Sequence, residues 1–353
     1  MRLAAFVRRA AALLFAAAVA GFVGIDCNEM TVKARVGVLG GVRMSWASKR
    51  ADVRRALERF RDERVDAVVM LGELTAGGAE TQYAELAKLW RNVMPAGVRL
   101  VLVRGPEEDR SWKSGYCGPF PAHTQFLPPE GGELEVAGVR FGAGYFKNWN
   151  NRSGRPWFFS QGRYALTDEI GSPERTFGNV YSGSMSGITL PEEFERMKGL
   201  DGVSQGLLVK AYSGEVHAHR LDFTVGEEVA EPWKVVPGRR PPERREEARA
   251  PQFWDDARLA VIRGTERDGR PVWTLKFPPV LARHTGVRAF YYEVSVAKVG
   301  VIRRVSPPGF WLSEDHERQA ISVTIPAANL PAKPKFSVIP VSSLGKRGRP
   351  LVP

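Results

Sequence analysis

Cysteine is nearly missing from this chain: its 353 residues hold two, Cys27 and Cys117. That count permits at most one disulfide, which would close a long loop and contribute roughly 4 kcal/mol. Two buried free thiols fit the same count. Histidine is scarce too, with five residues, and His123, His284 and His316 stand isolated, as surface or loop positions do. Acidic residues are the minority charge, 39 against 51 Lys and Arg, giving a formal net charge of +12. A basic balance can signal nucleic acid or a membrane surface. Here the arginines are spread along the chain, and their one concentration, 239–249, is mixed with glutamate. There is no basic recognition helix and no basic strand interleaved with aromatics, so no nucleic-acid partner is expected. Beyond the first twenty residues there is no apolar run of spanning length, so no transmembrane segment is expected after the leader is removed.

The leader carries its own message. Arg2, Arg8 and Arg9 precede an alanine-rich apolar segment, 10–20, that ends in the small-x-small triplet Ala18-Val19-Ala20. This is the pattern of a secretory signal peptide over residues 1–20, placing the mature chain in the periplasm or outside the cell. Arg8-Arg9 raises twin-arginine export, although the residues around the pair fit that signal poorly. Asp26 argues against a lipid anchor on Cys27, where a small residue should precede the cysteine.

The remaining length suits two domains, and hydrophobic residues at 43% with charged residues at 25% suit a soluble globular chain with a sizeable core. The stretch that organises the first domain is 66–73, Asp-Ala-Val-Val-Met-Leu-Gly-Glu. A short apolar run closed by a glycine turn reads as a buried strand of a parallel sheet. Strand patterns at 32–39 and 98–103 flank it. Between them, 48–63 spaces Val53, Ala56, Leu57 and Phe60 helically, and 81–93 does the same with Tyr83, Leu86, Leu89 and Trp90. Strand, helix, strand, helix, strand means right-handed βαβ units whose strand-end loops share one edge. Ligands bind at that edge in open α/β sheets. From 133 onward only strands are expected, including a hairpin around Ser213-Gly214.

The expected organisation is a layered α/β domain over 21–231, a Pro/Arg-rich linker over 232–251 and an all-β sandwich over 252–353. The sandwich, with alternating segments separated by Gly and Pro turns, has fibronectin type III character. Its Trp311, or Trp254, could serve as a stacking platform for a glycan, though aromatic area favours burial.

The strand-end loops of 33–224 resemble the calcineurin-like metallophosphoesterase superfamily, and most of all its secreted bacterial members with a C-terminal sandwich. In that family the first loop reads Asp-x-His, the second Gly-Asp, the third Gly-Asn-His-Asp, and a late loop carries two further histidines. The resemblance implies two divalent metal ions that clamp a phosphate and activate water. This chain keeps the loops and replaces the ligands. Gly41 and Arg43 stand in the first loop, Glu73 in the second, and Pro106 and Glu107 in the third. Gln161 and Arg163 stand where the late-loop histidines belong. The carboxylates left for one hard cation are Glu73, Glu107, Glu108 and Asp109. The competing reading of 107–109 is a solvated turn or a set of arginine partners. His217 and His219, two apart on a strand, form a tempting chelate, but the structural strand reading is preferred because the hairpin lies beyond the converging loops.

These replacements point to a catalytically inactive, exported, phosphoesterase-like binding or structural module, with no metal cofactor expected. An active phosphoric ester hydrolase with a reduced or atypical metal site is the alternative, and adhesion or glycan binding through the sandwich is another. The partner expected is a small anionic ligand or a cell-envelope component. The loops also predict an ion pair, Arg43 with Glu73, in place of the metals.

Overall fold

The computed structural model describes residues 31–44, 47–105, 108, 118–144, 157–160, 178–181, 185, 203–235, 250–281, 287–306, 320–342 and 345–353. The organising strand is present as β2 (Ala67–Leu71), every residue of it buried. It lies between β1 (Ala34–Gly40) and β3 (Arg99–Val103) in parallel register, Val38 beside Val69 and Val69 beside Val101. Helices α1 (Ala47–Asp62) and α2 (Glu80–Val93) are the crossovers. A short strand, β4 (Gln125–Leu127), extends the parallel half beyond β3. On the other side of β1 the chain returns antiparallel as β9 (Gln205–Ala211), β10 (Val216–Asp222) and β11 (Glu227–Val235). Among the described residues the mixed sheet therefore has seven strands.

Alternation along these strands serves two cores. Val68, Met70, Leu100, Leu102 and Leu208 face one way and pack with Val53, Leu57 and Phe60 of α1 and Leu86 and Trp90 of α2. Ala67, Val69, Val101, Val103 and Val209 face the other way and meet Leu134, Phe141 and Phe159. Those partners belong to a second sheet built from β5 (Gly132–Val136), β6 (Val139–Gly144), β7 (Trp157–Ser160) and β8 (Gly178–Tyr181). The described layers are thus helices, large sheet, small sheet. This is the layered α/β architecture expected.

An all-β unit follows. One three-stranded antiparallel sheet pairs β12 (Ala260–Thr265), β13 (Pro271–Phe277) and β16 (Ile321–Pro326). The other pairs β14 (Tyr291–Val296), β15 (Gly300–Val305) and β17 (Phe336–Val341). Leu275, Phe277, Tyr292, Val294, Val323 and Val338 form their common core, as in a small sandwich. Tyr292 stays in it because its hydroxyl accepts a hydrogen bond from the Val280 amide at 2.7 Å. The C-terminal tail adds to the edge of β17, Leu351 exchanging backbone hydrogen bonds with Val338. Arg347 of the tail reaches the buried Glu293 carboxylate at 2.6 Å.

One boundary moves. β11 runs through Val235, so four residues of the expected linker, 232–235, are strand instead. Pro232 fits there because β11 is the sheet edge and Pro232 lies in the register irregularity between Ala230 and Trp233. Trp233 pairs with Ala218. Residues 236–249 lie outside the described residues, as do the leader, Cys27, Cys117 and Trp311. Buried Arg288 donates to the Val229 carbonyl, linking the all-β unit to β11. Among the described residues no helix is long and apolar enough to cross a membrane.

Candidate functional site

The loops after β1, β2 and β3 emerge together, and the first two are joined by their backbones. Arg43 N–H donates to the Glu73 carbonyl at 2.7 Å, and Met44 N–H to the Leu74 carbonyl at 3.0 Å. Arg43 and Glu73 both hold left-handed backbone, φ 42° and 47°, each after a glycine that does the same, Gly41 at 57° in the first loop and Gly72 at 69° in the second. These turns reverse the chain sharply at the sheet edge and aim both side chains at one place. There Arg43 Nε meets Glu73 Oε2 at 3.0 Å, the ion pair that the loop residues led us to expect. The Glu73 side chain is 3% exposed and that of Arg43 is 39% exposed.

That asymmetry sets an expected result. Removing Arg43 takes a guanidinium from a buried carboxylate, whereas removing Glu73 leaves a cation that water can reach. Arg43→Ala is expected to cost about 2 kcal/mol and Glu73→Ala about 1 kcal/mol, discounted because the pair is half open to solvent. The double variant should recover part of the loss in urea unfolding; strictly additive losses would remove the pair from the account.

The third loop contributes a clamp. Glu108 is fully buried. Its Oε2 accepts from the amides of Glu73 at 2.9 Å and Gly105 at 3.0 Å, and its Oε1 accepts from the Leu74 amide at 2.7 Å. The Tyr83 hydroxyl of α2 stands 3.4 Å from Oε1. One carboxylate thus ties the second loop to the third. Gly105 is required beneath it, since a Cβ would lie 2.8 Å from both Glu108 Oε2 and the Glu73 amide nitrogen. Burial pushes the Glu108 carboxyl above its ordinary value of 4.5, while the backbone hydrogen bonds pull it down. A carboxyl raised in the fold binds protons more readily there, so its contribution declines as pH rises from 4.5 through the folded value.

A second buried set supports the first loop from below. Ser204 Oγ donates to Asp52 of α1, sits 2.9 Å from the Met185 carbonyl and receives Lys49 Nζ at 3.2 Å. Met185 N–H in turn donates to the Gly40 carbonyl at 2.9 Å. No pattern in the sequence marked Ser204 or Met185 for this brace. Lys49 and Asp52 carry only the faint signal of opposite charges three apart on a helix.

The other candidates divide. Glu108 is not a solvated turn residue; it turns inward to backbone amides. Pro106, Glu107, Asp109, Gln161 and Arg163 lie outside the described residues. His217 and His219 sit on β10, facing Glu215 at 2.6 Å and Glu228 at 3.1 Å. His217 is in register with Lys210, and Lys210 with Arg35 near the start of β1, at the opposite edge from the loops. His219 holds the Glu228 carboxyl below 4.5, through its hydrogen bond first and its charge second, with Lys210 and Arg59 assisting. A lowered carboxyl contributes stability above its unfolded value that is lost as pH falls through the folded one. Glu228→Gln should therefore flatten the loss of stability below pH 4.5, measured as melting temperature against pH; an unchanged acid limb would remove the His219–Glu228 pair as its source.

Two adjacent hard cations need several oxygen and imidazole ligands converging on them. Among the described residues no group of three His, Cys, Asp or Glu is placed to hold a metal. Of the nearby carboxylates, Glu73 faces a guanidinium and Glu108 is surrounded by amide donors. Among the described residues this donor set does not make up a two-metal centre.

No protein-family model matches the chain, and no curated protein matches it. Solved structures do resemble it. A predicted phosphoesterase from Streptococcus pneumoniae aligns with TM-score 0.35 and 14% identity, over 57% of this chain and 97% of that one. Vacuolar protein sorting 29 from Cryptosporidium parvum aligns with TM-score 0.37 and 13% identity, over 57% and 98%. A dimetal phosphatase from Danio rerio aligns with TM-score 0.33 and 10% identity, over 59% and 100%. The solved structures that this chain resembles at this level include a predicted phosphoesterase and a dimetal phosphatase.

Proposed function

We propose that this is an exported metallophosphoesterase-like protein that has given up metal-dependent hydrolysis and serves as a binding or structural module. The observation that carries the reading is the Arg43–Glu73 ion pair at the strand-end loops. A guanidinium there supplies fixed positive charge without the open coordination positions that activate water. Arg43 competes with any cation for the Glu73 carboxylate. The half-exposed guanidinium suits a small anion or an anionic group of the cell envelope, held by paired hydrogen bonds.

The test is turnover of a generic phosphomonoester and phosphodiester by the mature chain, with manganese, magnesium, zinc or calcium added in turn. The expected result is no turnover above background with any ion. Metal-dependent turnover abolished by Glu73→Ala would instead establish a working hydrolase with an atypical site.

A further inference from the structure

Beside the first strand-end loop, a groove of about 490 Å³ runs between α1 and α2. Met44 and Leu89, both buried, contribute its apolar floor, and Arg50, Arg54 and Arg55 of α1 rise along one wall. Lys88 stands on the α2 wall with Glu85. The cations are not equally engaged. Arg50 bonds Glu85 at 3.1 Å and Arg55 is tied to Asp52, but Arg54 meets Glu58 only at 3.9 Å. Lys88 makes no ion pair with any described residue.

Charge complementarity therefore selects the occupant. The α2 side of the groove, Glu85 to Asn92, covers seven helical steps, about 10 Å at the usual rise. That suits a short extended segment better than a single small ion. We propose that this groove docks an acidic segment of a partner protein, an apolar side chain seated over Met44 and Leu89 and carboxylates reaching Arg54 and Lys88. Such a mode combines an apolar anchor with charge-assisted hydrogen bonds at the rim.

The test uses the mature chain and a fluorescein-labelled peptide in which glutamates flank two leucines, read by anisotropy. The expected result is saturable binding that weakens with salt, and a loss of about tenfold in Arg54→Gln/Lys88→Gln, whose melting temperature should match the parent. Substituting lysine for glutamate in the peptide should abolish binding. Absence of binding, or equal binding by the double variant, overturns the proposal. Retention on phosphatidylglycerol vesicles with no peptide binding also overturns it, and assigns the cations to a lipid surface.

Discussion

Glu108→Ala should lower the free energy of unfolding by about 3–5 kcal/mol. The substitution removes the acceptor for three buried amides, those of Glu73, Leu74 and Gly105. Each stranded buried donor costs about 1–3 kcal/mol, and water entering the space returns part of that. Glu108→Gln keeps one oxygen but turns an amide NH2 toward the same donors, so its loss should be intermediate. Denaturant unfolding at neutral pH checks both. A Glu108→Ala variant within about 0.5 kcal/mol of the parent would show that the clamp does not hold the loops.

Gly37→Ala is the second large effect expected, a loss of about 1–3 kcal/mol by overpacking. A Cβ there would lie 2.5, 2.6 and 2.8 Å from ring carbons of Phe60. The ring has nowhere to go: Phe60 is fully buried and meets Phe223 edge to face at a centroid distance of 5.7 Å. The strand passes directly under α1, and glycine is what allows the approach. Gly77→Ala, where an added Cβ meets nothing within 4 Å, is the control and should be near neutral. Melting temperatures of the two variants decide it, and equal shifts would contradict the packing account.

The contrast between these residues shows what the sequence discloses. β1, β2 and β3 were legible because buried parallel strands read as apolar runs, and α1 and α2 because their buried residues recur at helical spacing. β11 was not, since an edge strand carrying Glu227, Glu228 and Pro232 lacks an apolar face of its own. β15 has the same difficulty, with Val301 exposed and two arginines inside it. At the site, Arg43 and Glu73 were legible because strand ends bring their loops together. Glu108 was not separable from Glu107 or Asp109. Only the folded positions of the amides at 73, 74 and 105 decide which carboxylate turns inward. The Ser204–Asp52 contact joins residues 152 apart, with nothing local to announce it.

The proposed loss of metal-dependent hydrolysis rests on the Arg43–Glu73 ion pair at the strand-end loops. It is tested most directly by the divalent metal content of a chain expressed from Gly21 onward, after gel filtration without chelator. No stoichiometric metal is expected, in the parent and in Glu73→Ala alike. One or two equivalents retained by the parent and lost in Glu73→Ala would contradict it.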